Sequence, residues 1–245
     1  MKFLYTSDIH ASYEHLFTML KKARKKSVDA IVIGGDIVPH YLPQFEDCHI
    51  LQAQALYLRQ ILVPAIEEFR KKSRAKIYLD MGNDDFICGR KILEERDGEL
   101  FRLLHMRVLP FSENVDIAGY MNVPPTPFGR KDWEKPDSKR QLYAPGNTVD
   151  LEGVVSNQGY LEKTVLDLGA GNKLPENSME SDLRTLGKKI RRPFIFVSHA
   201  PPYGTKLDVM HDDNHVGSLA VREFIEKWSR EKMLIASFHG HIHES

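Results

Sequence analysis

No stretch of the chain approaches the ~20 consecutive apolar residues of a membrane-spanning helix. The apolar part of the opening Met1-Lys2-Phe3-Leu4-Tyr5 run is far too short for a secretory signal. Cysteine is scarce: Cys48 and Cys88 make no C-x-x-C pair and no disulfide framework, so the expected setting is the reducing cytoplasm. An excess of either charge is missing too, since 34 Lys plus Arg balance 34 Asp plus Glu. A dedicated binder of long nucleic acid carries a basic surplus, and this balance argues against one. Internal repeats and low-complexity tracts are absent. What is present is an ordinary globular balance, 42% apolar and 28% charged over 245 residues, which suffices for a sizeable core without cross-links.

Short apolar runs punctuate the chain, and several end in the same kinds of residue. Phe3 to Thr6 reads as a strand closed by Ser7-Asp8-Ile9-His10. A helix follows, with Tyr13, Leu16, Phe17 and Leu20 at helical spacing and a basic end from Lys21 to Lys26. Asp29 to Ile33, β-branched and without alternation, reads as a strand covered on both faces that delivers Gly34-Gly35-Asp36. Residues 44–73 read as a long helical region interrupted at Pro64. A third strand, Ala75 to Met81, leads into Gly82-Asn83-Asp84-Asp85. A helical stretch over 86–104 and two strands, Arg107 to Leu109 and Val115 to Val123, come next.

Residues 124–190 differ in character, with room for one strand at Tyr160 to Leu168 and one helix at Ser181 to Lys189. An insert of this kind reads as a cap over a site. Trp133 within it is either a substrate contact or an anchor to the core. The strand Pro193 to Val197 ends in Ser198-His199-Ala200-Pro201-Pro202, and a polar loop carrying His211 and His215 follows. Ser218 is placed to cap a helix lined by Val221, Phe224, Ile225 and Trp228. A buried strand, Met233 to Phe238, then runs into His239-Gly240-His241-Ile242-His243.

Asp8 and His10 stand two apart, as do His241 and His243, so in extended backbone each pair points one way. Five strand ends therefore offer Asp8 with His10, Asp36, Asn83, His199, and His241 with His243. Ligand sites in layered α/β proteins form at such ends. Seven nitrogen and oxygen donors without a thiolate suit two divalent ions rather than one structural zinc. Asp36 is the natural bridge, because one carboxylate has two oxygens to share.

In order and spacing, Asp8-x-His10, Gly35-Asp36, Gly82-Asn83, His199 and Gly240-His241-x-His243 resemble the motifs of the calcineurin-like metallophosphoesterase superfamily. Within it they are similar to the small prokaryotic cytosolic branch related to cyclic-nucleotide phosphodiesterases. The resemblance spans nearly the whole chain and omits only 124–190. It implies an α/β four-layer fold, two packed mixed β-sheets flanked by helices, in a single domain over 1–245 with 124–190 as the cap. It implies one divalent ion on Asp8, His10 and His243, a second on Asn83, His199 and His241, and Asp36 between them. Manganese is the expected ion, with Fe, Zn, Ni or Co as other occupants. The implied reaction is in-line attack on phosphorus by a hydroxide that bridges the ions. The expected partner is a small phosphoester, a nucleotide-like diester ahead of a phosphomonoester or a phosphoprotein. A non-catalytic scaffold on the same fold is the rival, and retention of all seven ligand types argues against it.

One position departs from the pattern. The family often has His directly after Gly-Asn, where it helps to protonate the leaving group, and here that residue is Asp84. A carboxylate is normally ionised at neutral pH and is a poor acid unless its pKa is raised. Asp84 is then perturbed, or His215 (ahead of His211) supplies the proton, or the leaving group needs none. Asp36, Asn83, Asp84 and His215 are accordingly the catalytic candidates.

Overall fold

The computed structural model describes residues 1–40, 47–144, 146, 148–169 and 174–244. Its first sheet is built from β1 (Phe3–Thr6), β2 (Ala30–Gly34), β3 (Lys76–Asp80) and β4 (Arg102–Leu103), in that spatial order and parallel throughout. The second contains β5 (Arg107–Pro110), β6 (Asp116–Tyr120), β9 (Phe194–Ser198) and β10 (Leu234–His239). It is mixed, ordered β10-β9-β6-β5, with only β5 antiparallel to its neighbour.

The alternation of strand side chains explains how the two sheets stack. On β9, Ile195 and Val197 join a core shared with Ile31, Ile33 and Leu79 of the first sheet. Phe194 and Phe196, on the other face, pack against Leu183 and Leu186 of α5 (Met179–Gly187) and Phe224 and Trp228 of α6 (Leu219–Arg230). The shared core also takes in Leu16 and Leu20 of α1 (Tyr13–Lys25) and Ile66 and Phe69 of α3 (Val63–Lys72). Two sheets therefore lie between two helical layers, as expected for four-layer packing.

Several expectations are corrected locally. On α1 the buried stripe is Leu16, Met19, Leu20 and Ala23, while Tyr13 and Phe17 flank it and stay exposed. The expected long helix is α2 (Asp47–Tyr57) continued into α3, and its first residues, 44–46, lie outside the described residues. The break at Pro64 takes the form of a π turn over Leu58–Leu62, closed by Val63 N–H donating to Leu58 O. Proline has no N–H for an α bond to Gln60, so the ladder widens just before it.

The helix expected over 86–104 shrinks to a 3₁₀ turn at Ile87–Gly89 and α4 (Arg90–Glu94). Gly98, at φ 88°, turns the chain back there, and β4 joins the first sheet. β10 is half-buried rather than buried, because it is the edge of its sheet, and Ile235 is exposed.

Within 124–190 a hairpin pairs β7 (Glu152–Asn157), unforeseen from the sequence, with β8 (Tyr160–Val165). Its two-residue turn puts Gln158 and Gly159 at positive φ, the twist that a tight hairpin requires. Trp133 is an anchor: it is buried in the shared core, and its indole N–H donates to Asp85 O at 2.7 Å. No helix among the described residues is long and apolar enough to cross a membrane.

Candidate metal centre

The ends of β1, β2, β3, β9 and β10 deliver Asp8, His10, Asp36, Asn83, His199, His241 and His243 to one place. Asn83 Oδ1 lies 2.9 Å from His199 Nε2 and 2.6 Å from His241 Nδ1. Asp36 Oδ2 lies 3.3 Å from His199 Nε2 and 3.9 Å from His10 Nε2. His243 Nε2 is 3.5 Å from Asp8 Oδ1 and 3.4 Å from His10 Nε2. Donor atoms held about 2.1 Å from one ion lie roughly 3.0–3.4 Å from each other. The His199 and His243 separations fall close to this range, the Asn83–His241 pair is closer and the Asp36–His10 pair wider. Asp8, His10 and His243 form one group of possible ligands, and Asp8, Asp36 and His199 another.

The backbone that achieves this is not extended. Asp8, His10, Asp36 and His241 all adopt positive φ, at 54°, 45°, 50° and 72°. Non-glycine residues enter that region at a cost of order 1–3 kcal/mol, and such residues cluster at functional sites. Asp8 and His10 still meet, in one ligand group with His243, but the His241 and His243 pair does not point one way. His241 turns to Asn83, while His243 turns to Asp8 and His10. Asp36 also differs from expectation. Both imidazoles approach its Oδ2, whereas Oδ1 accepts from Asp84 N–H at 2.9 Å. Glycine is needed at 82, where a Cβ would sit 2.7 Å from His199 Nε2 and collide with the Asp36 carboxylate.

Buried charge sets the protonation of the cluster. Burial disfavours a charged His199, but Asp36 beside it outweighs burial and pushes the imidazole up to about 10. Burial likewise opposes ionisation of Asp36, and the His199 charge and hydrogen bond hold that carboxyl below its usual range. Asp8 is also held low, because its bond to His243 and the nearby His199 charge overcome burial. His241 is driven down to about 4, by burial first and then by His199. Burial lowers His10 as well.

A sequence model of the calcineurin-like phosphoesterase family matches residues 1–245. The chain belongs to that family. It is 36% identical over 88 residues to MJ1162 of Methanocaldococcus jannaschii, named only as an uncharacterized protein. That match covers 32% of this chain and 39% of the relative, well under half of its length. One crystal structure superposes with a TM-score of 0.58 at 14% identity, covering 98% of this chain and 84% of the other. The crystal structure of TT1561 of Thermus thermophilus gives 0.51 at 18% identity, covering 93% and 77%. At such identities the two structures speak for the fold, and both share it.

Asp84, the residue after Asn83, stands at the edge of the cluster. Its Oδ2 is 3.8 Å from His10 Nδ1. Burial, and then Asp36, raise its pKa, while Arg130 opposes the rise. His215 is not brought to the cluster. Its Nδ1 is 2.9 Å from the buried Asp208 and its ring meets Tyr203, so it braces the loop after β9.

Three residues at the site escaped the sequence reading. His40 packs its ring 4.2 Å from His10 and makes a further ligand group with His10 and Asp84. Arg130, from the insert, donates to Asp84 Oδ1 at 3.1 Å. Asp85 is wholly buried and accepts from the backbone N–H groups of Ile37, Val38 and Gly82 at 3.0, 2.9 and 2.8 Å. It ties the Asp36 loop to the Asn83 loop. Its place in the run Gly82-Asn83-Asp84-Asp85 was the one available signal; His40 and Arg130 had none. A cleft of about 1270 Å³ opens at the cluster, lined by His10, His40, Asp84 and His243 together with residues of 127–130 and the hairpin.

Proposed function

We propose that the chain is a phosphoester hydrolase working with two divalent ions, and that its substrate is a small, nucleotide-like phosphodiester. The observation that carries this is the convergence of seven nitrogen and oxygen donors, at ligand-to-ligand spacing, on two half-sites that meet at Asp36 Oδ2. Asp8, His10 and His243 would hold one ion, Asn83, His199 and His241 the other, and Asp36 would touch both. The donor set fits the group: it is rich in imidazole, has carboxylate and amide oxygens, and has no thiolate, as suits manganese and also Fe, Zn, Ni or Co. Bound ions there would acidify water and neutralise phosphoryl oxygens.

The chain's own part is positional. Asp85 fixes the Asp36 and Asn83 loops against each other through three backbone bonds. Asp84 N–H orients the Asp36 carboxylate. The insert, anchored by Trp133, is read as a cap that bounds the cleft and limits substrate size. No imidazole follows Asn83, so esters with stable leaving anions are the favoured substrates. The balanced charge of the chain favours a small substrate over long nucleic acid, and its two cysteines, which form no framework, fit the cytoplasm. A panel of phosphomonoesters and phosphodiesters, assayed with Mn²⁺ and with chelator, tests the reading. Metal-dependent turnover with diesters preferred is expected. Preference for monoesters would overturn the diesterase assignment, and no turnover at all would favour a scaffold.

A further inference from the structure

Among the described residues, Arg130 is the one guanidinium lining the cleft, and it reaches the cluster from the insert rather than from any strand end. Its side chain is one-fifth exposed, with Cζ 5.2 Å from the centre of the Phe86 ring. Nη1 donates to Asp84 Oδ1 at 3.1 Å and to Asp84 O at 3.2 Å, and Nη2 donates to His40 O. A guanidinium carries five N–H donors in a planar fork. Three are used, so two have no acceptor among the described residues, and Arg130 lines the cleft.

We propose that Arg130 is the phosphate-binding residue that the insert contributes to this site, and that it is present because Asp84 is. The inference rests on the hydrolase reading above. An anionic phosphoester entering the cleft passes the Asp84 carboxylate, which lines it. Left alone, that carboxylate repels the substrate across a short, partly buried gap. Arg130 cancels this charge and still offers two N–H groups to a phosphate oxygen. Charge-assisted bonds of this type are the stronger class, and the fork suits phosphate better than a lysine ammonium does. The cation thereby selects anionic esters and holds them beside His10 and Asp36. Because it comes from the insert, substrate recognition and the reactive centre are assigned to different parts of the chain.

Calorimetric titration of inorganic phosphate into the Mn²⁺-loaded full chain tests this directly. Wild type, Arg130→Ala and Arg130→Lys are compared, and metal content is measured on the same samples. Arg130→Ala is expected to weaken phosphate binding about tenfold or more at unchanged metal content. Arg130→Lys, which keeps the charge but loses the fork, is expected to fall between the two. With bis(4-nitrophenyl) phosphate, KM is expected to rise in Arg130→Ala more than kcat falls. Phosphate affinity equal to wild type in Arg130→Ala overturns the proposal. So does weaker binding that accompanies loss of metal, since Arg130 would then merely support the His40 loop. A wild type that binds phosphate through Arg130 yet hydrolyses no ester would remove the hydrolase reading and leave this contact standing.

Discussion

Asp36 is the side chain on which the two half-sites converge, through a single oxygen. Asp36→Asn keeps the shape and removes the charge between two dications, which then repel with less compensation. Metal content is expected to fall towards one per chain and turnover to drop by more than about 100-fold. Elemental analysis paired with a diester assay checks both. His199 adds a pH signature. In the metal-free protein its pKa is raised to about 10 by Asp36, although burial opposes the rise. The protonated pair then stabilises the metal-free fold fully below the unfolded value of about 6.5 and is lost as pH rises towards 10. Metal must displace that proton, so binding at pH 7–8 is expected to release protons and to tighten as pH rises. Calorimetry in buffers of different ionisation enthalpy reads the release directly. The seven strand-end residues were legible because apolar runs announce where strands stop and ligand types stand out there. Arg130 and His40 were not, because each is an ordinary loop residue until the fold brings it to Asp84 or His10. The left-handed turns at Asp8, His10 and His241 were hidden for a related reason: no glycine marks them.

Among the elements, the insert shows how a segment with little regular structure is held. Asp137, wholly buried, accepts from Ser218 Oγ and Leu219 N–H at 2.6 Å each and from Ala220 N–H at 3.2 Å, and so caps α6 from outside. Asp137→Ala leaves these donors buried and unpaired, at a cost of about 2–3 kcal/mol. The melting temperature is expected to fall by roughly 5–10 °C, measured by calorimetry. Phe128 serves another purpose. It is more than half exposed, yet it lines the same cleft as His10. Phe128→Ala is expected to leave stability within about 0.5 kcal/mol. It should also lower kcat/KM for bis(4-nitrophenyl) phosphate more than for methyl 4-nitrophenyl phosphate, which has the same leaving group and a smaller retained substituent. Equal losses for both esters would deny the insert a part in recognition. The α6 cap at Ser218 and the place of α5 were readable from local residues. β7 was missed because Glu152–Asn157 becomes a strand only by pairing with β8. The 86–104 segment misled because its apolar residues are spent on short turns around Gly98 rather than on one helical face.

For the whole molecule, two sheets bring five strand ends to one edge of a shared core, and residues 127–130 with the β7–β8 hairpin line the cleft beside them. Strand order and the stacking of the sheets could not be derived from periodicity, which fixes faces but not neighbours. The family resemblance supplied that layout. The central claim is that hydrolysis requires two ions at this cluster. Its most direct test is the initial rate on bis(4-nitrophenyl) phosphate as Mn²⁺ is titrated into metal-free protein. The rate is expected to climb until two equivalents per chain are bound and then to level, with chelator abolishing it. Turnover that is indifferent to metal, or its absence with two ions bound, would contradict the account.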